Sequence, residues 1–397
     1  MLTQIEFYDK DTIKNILACL SIKPDRIVFL YDNQIADMNR FVSLENCFKN
    51  HLPDIIFETE PVDISDVLDI FNKTKMLINK YGNCVMDITG GSELMTVAGV
   101  KAGIETNIKM FYTDIINGRL ENILDKNDFI PTATLRLNDY VAARGAHFVG
   151  NSHSEPDESR FEDILSMCDY IFKNIKQWRR TCSYIQQAMA NTSKDDIELR
   201  AVSVFRSKGG NEVYPDSTML KKFEELGFIK DLYISKNHIV FTFASPLEKS
   251  YLINYGVWLE LFVYIHAVKT GIFTDVMLGA MVDWDIYDDK SVPGNEIDVI
   301  FTDNSLPVFV SCKLTDVTTA AINELVLERK RLGGWFSKAI IVAFSDEKVL
   351  ESGSYKRAVE FGVELLDKSD ILSDDFGDRL VKAVSGHDLV SLKWKKF

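Results

Sequence analysis

The sequence has no C-x-x-C pair. Its six cysteines, Cys19, Cys47, Cys84, Cys168, Cys182 and Cys312, are scattered, and so are its six histidines. No His/Cys zinc spacing is present, and thiols dispersed this way read as reduced and mostly buried, which points to the cytoplasm. Positive charge is in short supply: 45 Lys plus Arg stand against 59 Asp plus Glu, a net charge of −14. That excludes a protein that coats nucleic acid through bulk charge, but not one that grips it locally with metal ions and a few lysines. No run approaches the roughly 20 apolar residues of a membrane helix. The opening residues MLTQIEFYDKDTIKNIL carry acids early and lack a basic-then-apolar leader pattern, consistent with the same compartment. Repeats and low-complexity tracts are absent. Neither a Walker Gly-Lys-Ser/Thr nor a dinucleotide G-x-G-x-x-G occurs.

What remains is a chain of ordinary globular composition, 46% hydrophobic and 26% charged over 397 residues. At about 150 residues per domain, that length suggests two or three domains. Residues 1–145 alternate short apolar runs with helical periodicity: RIVFLY (26–31), DIIFETE (54–60), a helix within 62–81, NCVMDI (83–88), a helix over 92–103, and IKMFYT (108–113). This is the pattern of a parallel sheet covered on both faces. Residues 146–250 form a helical and hairpin connecting region. A helix is predicted over 161–191, a turn at 207–211, and a short helix capped by Asp216 and stopped by Gly227. Strands on either side of Ser235-Lys236-Asn237 complete a winged-helix-like unit. Residues 251–397 read as a small α/β domain. Its helix covers 255–269, with strands near 277–287, 296–301, 308–312 and 338–344, and helices over 318–332 and 355–361.

Two pieces carry chemistry. Asp87-Ile88-Thr89-Gly90-Gly91-Ser92-Glu93 links a strand to a helix. Adjacent glycines, two hydroxyls and a helix start suit a phosphate at the carboxyl edge of a sheet, where Asp32-Asn33-Gln34 and Thr113 would also lie. The second is PGNEIDVIFTDNSLPVFVSCK. Asp298 sits between apolar Ile297 and Val299, a costly place for a carboxylate without a cation. Lys313 ends the next strand, so a hairpin brings the two together. Glu260, among Trp258, Leu259 and Leu261 on the preceding helix, is a second carboxylate. With a backbone oxygen, these acids make a hard-oxygen site suited to Mg²⁺ or Mn²⁺, ions that activate water and neutralise phosphate charge. Smaller basic clusters, Arg179-Arg180 and Lys393–Lys396, and Trp335 beside two glycines, read chiefly as solvated or packing residues.

The order helix-Glu, strand-Asp, strand-Lys resembles the PD-(D/E)XK nucleases. Asn295–Val299, Val310–Lys313, Leu332-Gly333-Gly334 and the DITGGSE loop at 87–93 resemble one branch in particular. These are the CRISPR-associated ancillary nucleases with an N-terminal CARF domain. The resemblance implies a Rossmann-like CARF sensor of cyclic oligoadenylate over 1–145 and a restriction-endonuclease-like α/β domain over 251–397. It implies a homodimer that binds cyclic tetra-adenylate as allosteric activator through Asp32, Asn33, Gln34, Thr89, Gly90, Gly91, Ser92, Glu93 and Thr113. Its catalytic residues would be Asp298, Lys313 and Glu260, with Asp298, Glu260 and Cys312 holding the metal. Its substrate would be single-stranded RNA, DNA or both, with possible nicking of duplex DNA, in type III CRISPR antiviral defence. One departure stands out: Ser311 occupies the place of the family's second strand acid. Glu296 or Glu260, or Glu324 or Glu328 on the following helix, would have to supply the charge, or cutting is weak or absent. A non-catalytic sensor that binds nucleic acid or a partner, and a constitutive restriction- or repair-type nuclease, are the alternatives.

Overall fold

The computed structural model describes residues 1–32, 34, 38–206, 209–284, 294–334, 336–345 and 353–385. Asn33, Ser207, Lys208, residues 285–287, Trp335 and the basic stretch 393–396 lie outside them.

The amino-terminal sheet has seven strands, ordered Ile56–Val62, Arg26–Asp32, Thr3–Phe7, Cys84–Asp87, Lys109–Asp114, Arg119–Asn122, Phe129–Pro131. The first five run parallel, and the last two extend the edge antiparallel. Strands 26–32, 56–62, 84–87 and 109–114 match the expected segments within a few residues. The central strand, Thr3–Phe7, does not appear in the sequence reading. Its Thr3, Gln4 and Glu6 are polar yet fully buried, so it lacks the apolar run that marks a covered parallel strand. Helices Ile13–Ile22 and Met38–His51 cover one face, and Val67–Tyr81 and Glu93–Thr106 the other. The strand order reverses between Thr3–Phe7 and Cys84–Asp87, which is where open α/β sheets bind ligands.

A polar layer lies beneath that point. Glu6 and Asp87 are opposite each other in register on neighbouring strands, and both are fully buried. Gln4 Nε2 donates to Glu6 at 2.9 Å and Asn15 Nδ2 at 3.1 Å. Thr89 Oγ1 donates to Asp87 at 2.7 Å and Thr113 Oγ1 at 3.4 Å. Burial pushes both acids up, Asp87 to about 7, and Asp87's charge raises Glu6 further. The layer ties down the loops that follow both strands: Asn15 also accepts from the Asp9 amide and donates to the Phe7 carbonyl.

The carboxy-terminal sheet has six strands, ordered Val363–Leu366, Lys338–Ala343, Leu306–Lys313, Asn295–Asp303, Thr274–Asp283, His147–Asn151. Val257–Thr270 packs on one face and Thr319–Leu332 on the other. His147–Asn151 crosses from the connecting region to pair with Thr274–Asp283. The strand expected over 277–287 begins earlier, at Thr274, and runs to Asp283, which pairs with His147; residues 285–287 lie outside the described residues. Val363–Leu366 and helix Phe376–Ser385 were not anticipated.

In the connecting region the single predicted helix is two, Phe161–Lys173 and Ile175–Met189, broken at Asn174. Ser217–Glu225, capped by Asp216, and the antiparallel sheet Ile229–Ile234, His238–Phe243, Glu198–Val202 complete the winged-helix-like unit. Trp178 and Trp258 meet edge to face at 6.1 Å, so its core is continuous with one face of the carboxy-terminal sheet. Among the described residues no single helix is long and apolar enough to cross a membrane.

Gly91 adopts φ +81°, and a Cβ there would come within 2.7 Å of Phe7 Cβ and 3.1 Å of Met95 Sδ. The glycine makes room for the protein's own core. Gly91→Val should therefore destabilise the fold by about 2–4 kcal/mol through strain and overpacking. Thermal unfolding checks this, and an unchanged melting temperature contradicts it.

Candidate functional site

Asn295–Asp303 and Leu306–Lys313 form a hairpin closed by Asn304 and Ser305, whose φ values of 48° and 70° define a type I′ turn. The turn lies one residue beyond the expected Asp303-Asn304. With Val299 opposite Val310, Asp298 faces Ser311. Three donors converge on Asp298 Oδ2: the Cys312 amide at 2.7 Å, Lys313 Nζ at 3.2 Å and Ser311 Oγ at 3.3 Å. None of these bonds falls on Oδ1. Burial lowers the Lys313 pKa, but the charge and hydrogen bond of Asp298, with smaller help from Cys312 and Glu260, together outweigh it and leave the amine more basic than usual. Lys313 is therefore a fixed cation, a hydrogen-bond donor rather than a base.

Glu260 is the sole acid of Val257–Thr270, whose other first-turn residues are core. It is 9% exposed, and its Oε2 is buried without a hydrogen-bond partner. Burial first, then Asp298 and Glu296, push its carboxyl up to about 8, against a smaller pull from Lys313. His153 Nε2 lies 3.9 Å from Oε2, beyond hydrogen-bond reach, and 3.0 Å from Asn254 Nδ2. Asn254 Oδ1 accepts from the Gly256 amide, so its Nδ2 donates and His153 Nε2 is the bare acceptor. Burial holds this histidine below its usual value, against Glu296 and Asp298. It is neutral and offers Glu260 no charge.

Of the acids considered as replacements at Ser311, Glu296 and Glu324 are exposed. Glu328 turns inward: it accepts from Asn295 Nδ2 at 3.1 Å, and burial, followed by Glu324, raises it to about 7. The Cys312 thiol is buried and pushed far up, so this residue can offer a metal only its carbonyl oxygen. Among the described residues no three His, Cys, Asp or Glu side chains cluster closely enough to hold a metal ion by themselves. The two acids still fit a cation in one respect: a buried carboxylate oxygen without a partner is what a cation satisfies.

At the strand crossover of the amino-terminal sheet lies a cavity of about 240 Å³, lined by Tyr8, Lys10, Tyr31, Asp32, Gly91 and Ser92 among others. Asp32, Gly91 and Ser92 thus face it together. Thr89 and Thr113 instead hold Asp87, and Thr89 Oγ1 also accepts from the Thr113 amide at 2.7 Å. Gly90 packs on the Phe7 carbonyl. Ser92 caps Glu93–Thr106, while Gln34 and Glu93 are exposed. Tyr8, Asp9 and Lys10 were missed together with the strand before them; the alternation of Ile5 and Phe7 was the available signal. Arg179 stacks on Tyr255, and Arg180 pairs with Asp216 at 3.1 Å, so both serve the fold.

Residues 248–377, about a third of the chain, match the domain family described as Card1-like, endonuclease domain. Two solved structures share the fold over nearly the whole length. Can2 from Sulfobacillus thermosulfidooxidans, solved in complex with cyclic tetra-adenylate, has a TM-score of 0.69 at 14% identity, covering 96% of this chain and 99% of its own. Protein VC1899 from Vibrio cholerae has a TM-score of 0.76 at 14% identity, covering 97% and 99%. At that identity the likeness is one of fold. No curated protein sequence matches. The domain match bears out the resemblance to a CRISPR-associated endonuclease over residues 248–377, and the shared fold bears out the α/β class.

Because Glu260 and Glu328 bind protons more tightly folded than unfolded, their contribution to stability is full below about pH 4 and is lost as pH rises toward 8. The cation-free protein should therefore be less stable at alkaline than at mildly acidic pH. Glu260→Gln should recover on the order of 3 kcal/mol of that loss. Added Mn²⁺ should raise the alkaline melting temperature of the parent but not of the variant. Superimposable pH–stability curves for the two proteins contradict the assignment.

Proposed function

We propose that the chain is a metal-dependent nuclease activated by cyclic tetra-adenylate, acting as a cytoplasmic homodimer in type III CRISPR antiviral defence. Its substrate is single-stranded RNA, DNA or both, and duplex nicking falls within the same chemistry. The observation that carries this reading is the convergence of Lys313, the Cys312 amide and the Ser311 hydroxyl on Asp298, beside a buried Glu260 with an unpartnered oxygen.

Glu260, Asp298 and the Cys312 carbonyl would hold the ion. Mg²⁺ or Mn²⁺ bound there supplies Lewis-acid stabilisation of the scissile phosphate and a more acidic water. Asp298 keeps Oδ2 for Lys313 and the Cys312 amide, leaving Oδ1 for the ion. Glu260 releases its proton as it binds, so affinity for the cation rises with pH. Lys313, held charged, donates to the phosphate or the attacking oxygen and offsets developing negative charge. Glu328 replaces the acid missing at Ser311. A 1–145 sensor, a 146–250 connector and a 251–397 nuclease unit follow the same division of labour.

The activator would sit over Lys10, Asp32, Gly91 and Ser92, on the two-fold axis of a dimer whose symmetry it shares. Leu94, Val97 and Ile104, exposed on the helix that Ser92 caps, together with Leu68 and Met76 on its neighbour, support such a dimer. Activation requires that the ligand bind one dimer arrangement more tightly than the other. Free, buried cysteines fit a reducing compartment. Ser311 favours one competing reading, a sensor without catalysis, because it donates to Asp298 where a third acid would bind metal.

Labelled RNA, single-stranded DNA and supercoiled DNA, incubated with Mn²⁺, should be cut only when cyclic tetra-adenylate is added. Equal cutting without it removes the allosteric reading. Tight activator binding with no cutting of any substrate leaves the non-catalytic sensor.

A further inference from the structure

A second cavity, of about 330 Å³, is lined by helix and loop residues from both halves of the chain. Its walls include Lys10, Arg40 and Arg144 from the amino-terminal half and Arg331 and Trp284 from the carboxy-terminal half. Among the described residues that line it there are four cations and no carboxylate, in a chain whose net charge is −14. Like charges are not gathered without cost. Arg144 is pulled below its usual basicity by burial, Asp11 offsets part of this, and Arg40 adds to it. Its Nε is buried without a hydrogen-bond partner, although its other end pairs with Asp11 at 3.3 Å. Arg40 sits in the first turn of Met38–His51, where the helix dipole favours an anion over a cation. A bound anion relieves the cost at Arg144. The volume falls within the roughly 300–1,000 Å³ of ligand-sized clefts.

The cavity is linked to the catalytic hairpin. The Arg331 guanidinium lies 4.2 Å from the centre of the Trp284 ring. Trp284 Nε1 donates to Asn295 Oδ1 at 2.8 Å, and Asn295 Nδ2 donates to Glu328. Asn295 begins the strand that carries Asp298 three residues later, a span of about 10 Å at strand geometry. A polynucleotide whose reacting phosphate lies at Asp298 thus has its flanking phosphates near this wall of cations.

We propose that the Arg40–Arg144–Arg331 wall of this cavity binds the phosphodiester backbone of the single-stranded nucleic acid that the hairpin cuts. It is a gripping site to which both halves of the chain contribute. This rests on the nuclease reading. Arginine is the residue suited to it, since its planar fork matches phosphate oxygens and its face stacks on an indole. The site selects for backbone and not for base, consistent with cutting of low sequence preference.

Arg40 and Arg331 have exposed side chains and can be changed without opening the core. In an Asp298→Ala background that prevents cutting, a fluorescein-labelled single-stranded oligonucleotide is titrated with cyclic tetra-adenylate present, at several salt concentrations. Arg40→Ala with Arg331→Ala should weaken binding at least about tenfold and make the salt slope shallower by about 1.4, two contacts at about 0.7 each. Arg331→Lys, which keeps the charge, should retain most of the slope. Unchanged affinity and slope in the double variant overturn the proposal while the nuclease reading stands. If the double variant loses inorganic tripolyphosphate but keeps the oligonucleotide, the cavity belongs to a small polyphosphate and the proposal also falls. A parent protein that binds no oligonucleotide overturns both.

Discussion

The hairpin from Asn295 to Lys313 is the constraint on which the rest of the structure depends. Its type I′ turn sets the register, and the register puts the Asp298 carboxylate against the Cys312 amide and Lys313. A slip of one residue would turn Asp298 into the core face that Val299 and Phe301 now fill, and leave a lone acid there. The tip of the same hairpin is buried in the other half of the molecule. Leu306 packs into the core formed by Ile13–Ile22 and Met38–His51. Tyr140 donates to the Ser305 carbonyl, and the Leu135 amide donates to Ser305 Oγ at 2.8 Å. One hairpin therefore has its closed end in the amino-terminal unit and its open end at the Asp298–Lys313 pair.

Both halves bury acids, and the difference in how they are satisfied separates scaffold from site. Glu6 and Asp87 are ringed by Gln4, Asn15, Thr89 and Thr113, and every bond serves to hold the loops above them. A network that satisfies both acids, with only Gln4 Oε1 left over, stiffens a fold. Glu260 has no such ring; its nearest candidate is a neutral histidine too far away to bond. The same desolvation acts on both groups, but only the second is left with an oxygen for something else. The metal reading of Glu260 rests on that contrast rather than on its sequence position.

The residues legible in the sequence were those whose placement conflicts with their surroundings. Asp298 between Ile297 and Val299, and Glu260 amid Trp258 and Leu261, stand out because a carboxylate in an apolar run needs a reason. Asp216 and Gly227 were legible as local stop signals. Thr3–Phe7 was not, because its burial is paid for by side-chain hydrogen bonds to partners up to Asn15 that no periodicity shows. His147–Asn151 was hidden for another reason: a strand at a sheet edge has one neighbour, and only topology says which. The cation-lined cavity is the extreme case. Its residues run from position 10 to position 331 and meet only when both halves of the chain are assembled.

The central claim is that one end of the molecule senses and the other cuts, with Asp298 and Lys313 belonging only to the second. It is tested most directly by measuring, on the same preparations of Asp298→Ala and Lys313→Ala, the affinity for cyclic tetra-adenylate by calorimetry and the rate of activator-stimulated cleavage. The account predicts unchanged calorimetric affinity and a cleavage rate at least about a hundredfold lower in each. Cleavage at the parent rate in either variant, or loss of activator affinity along with it, would contradict the account.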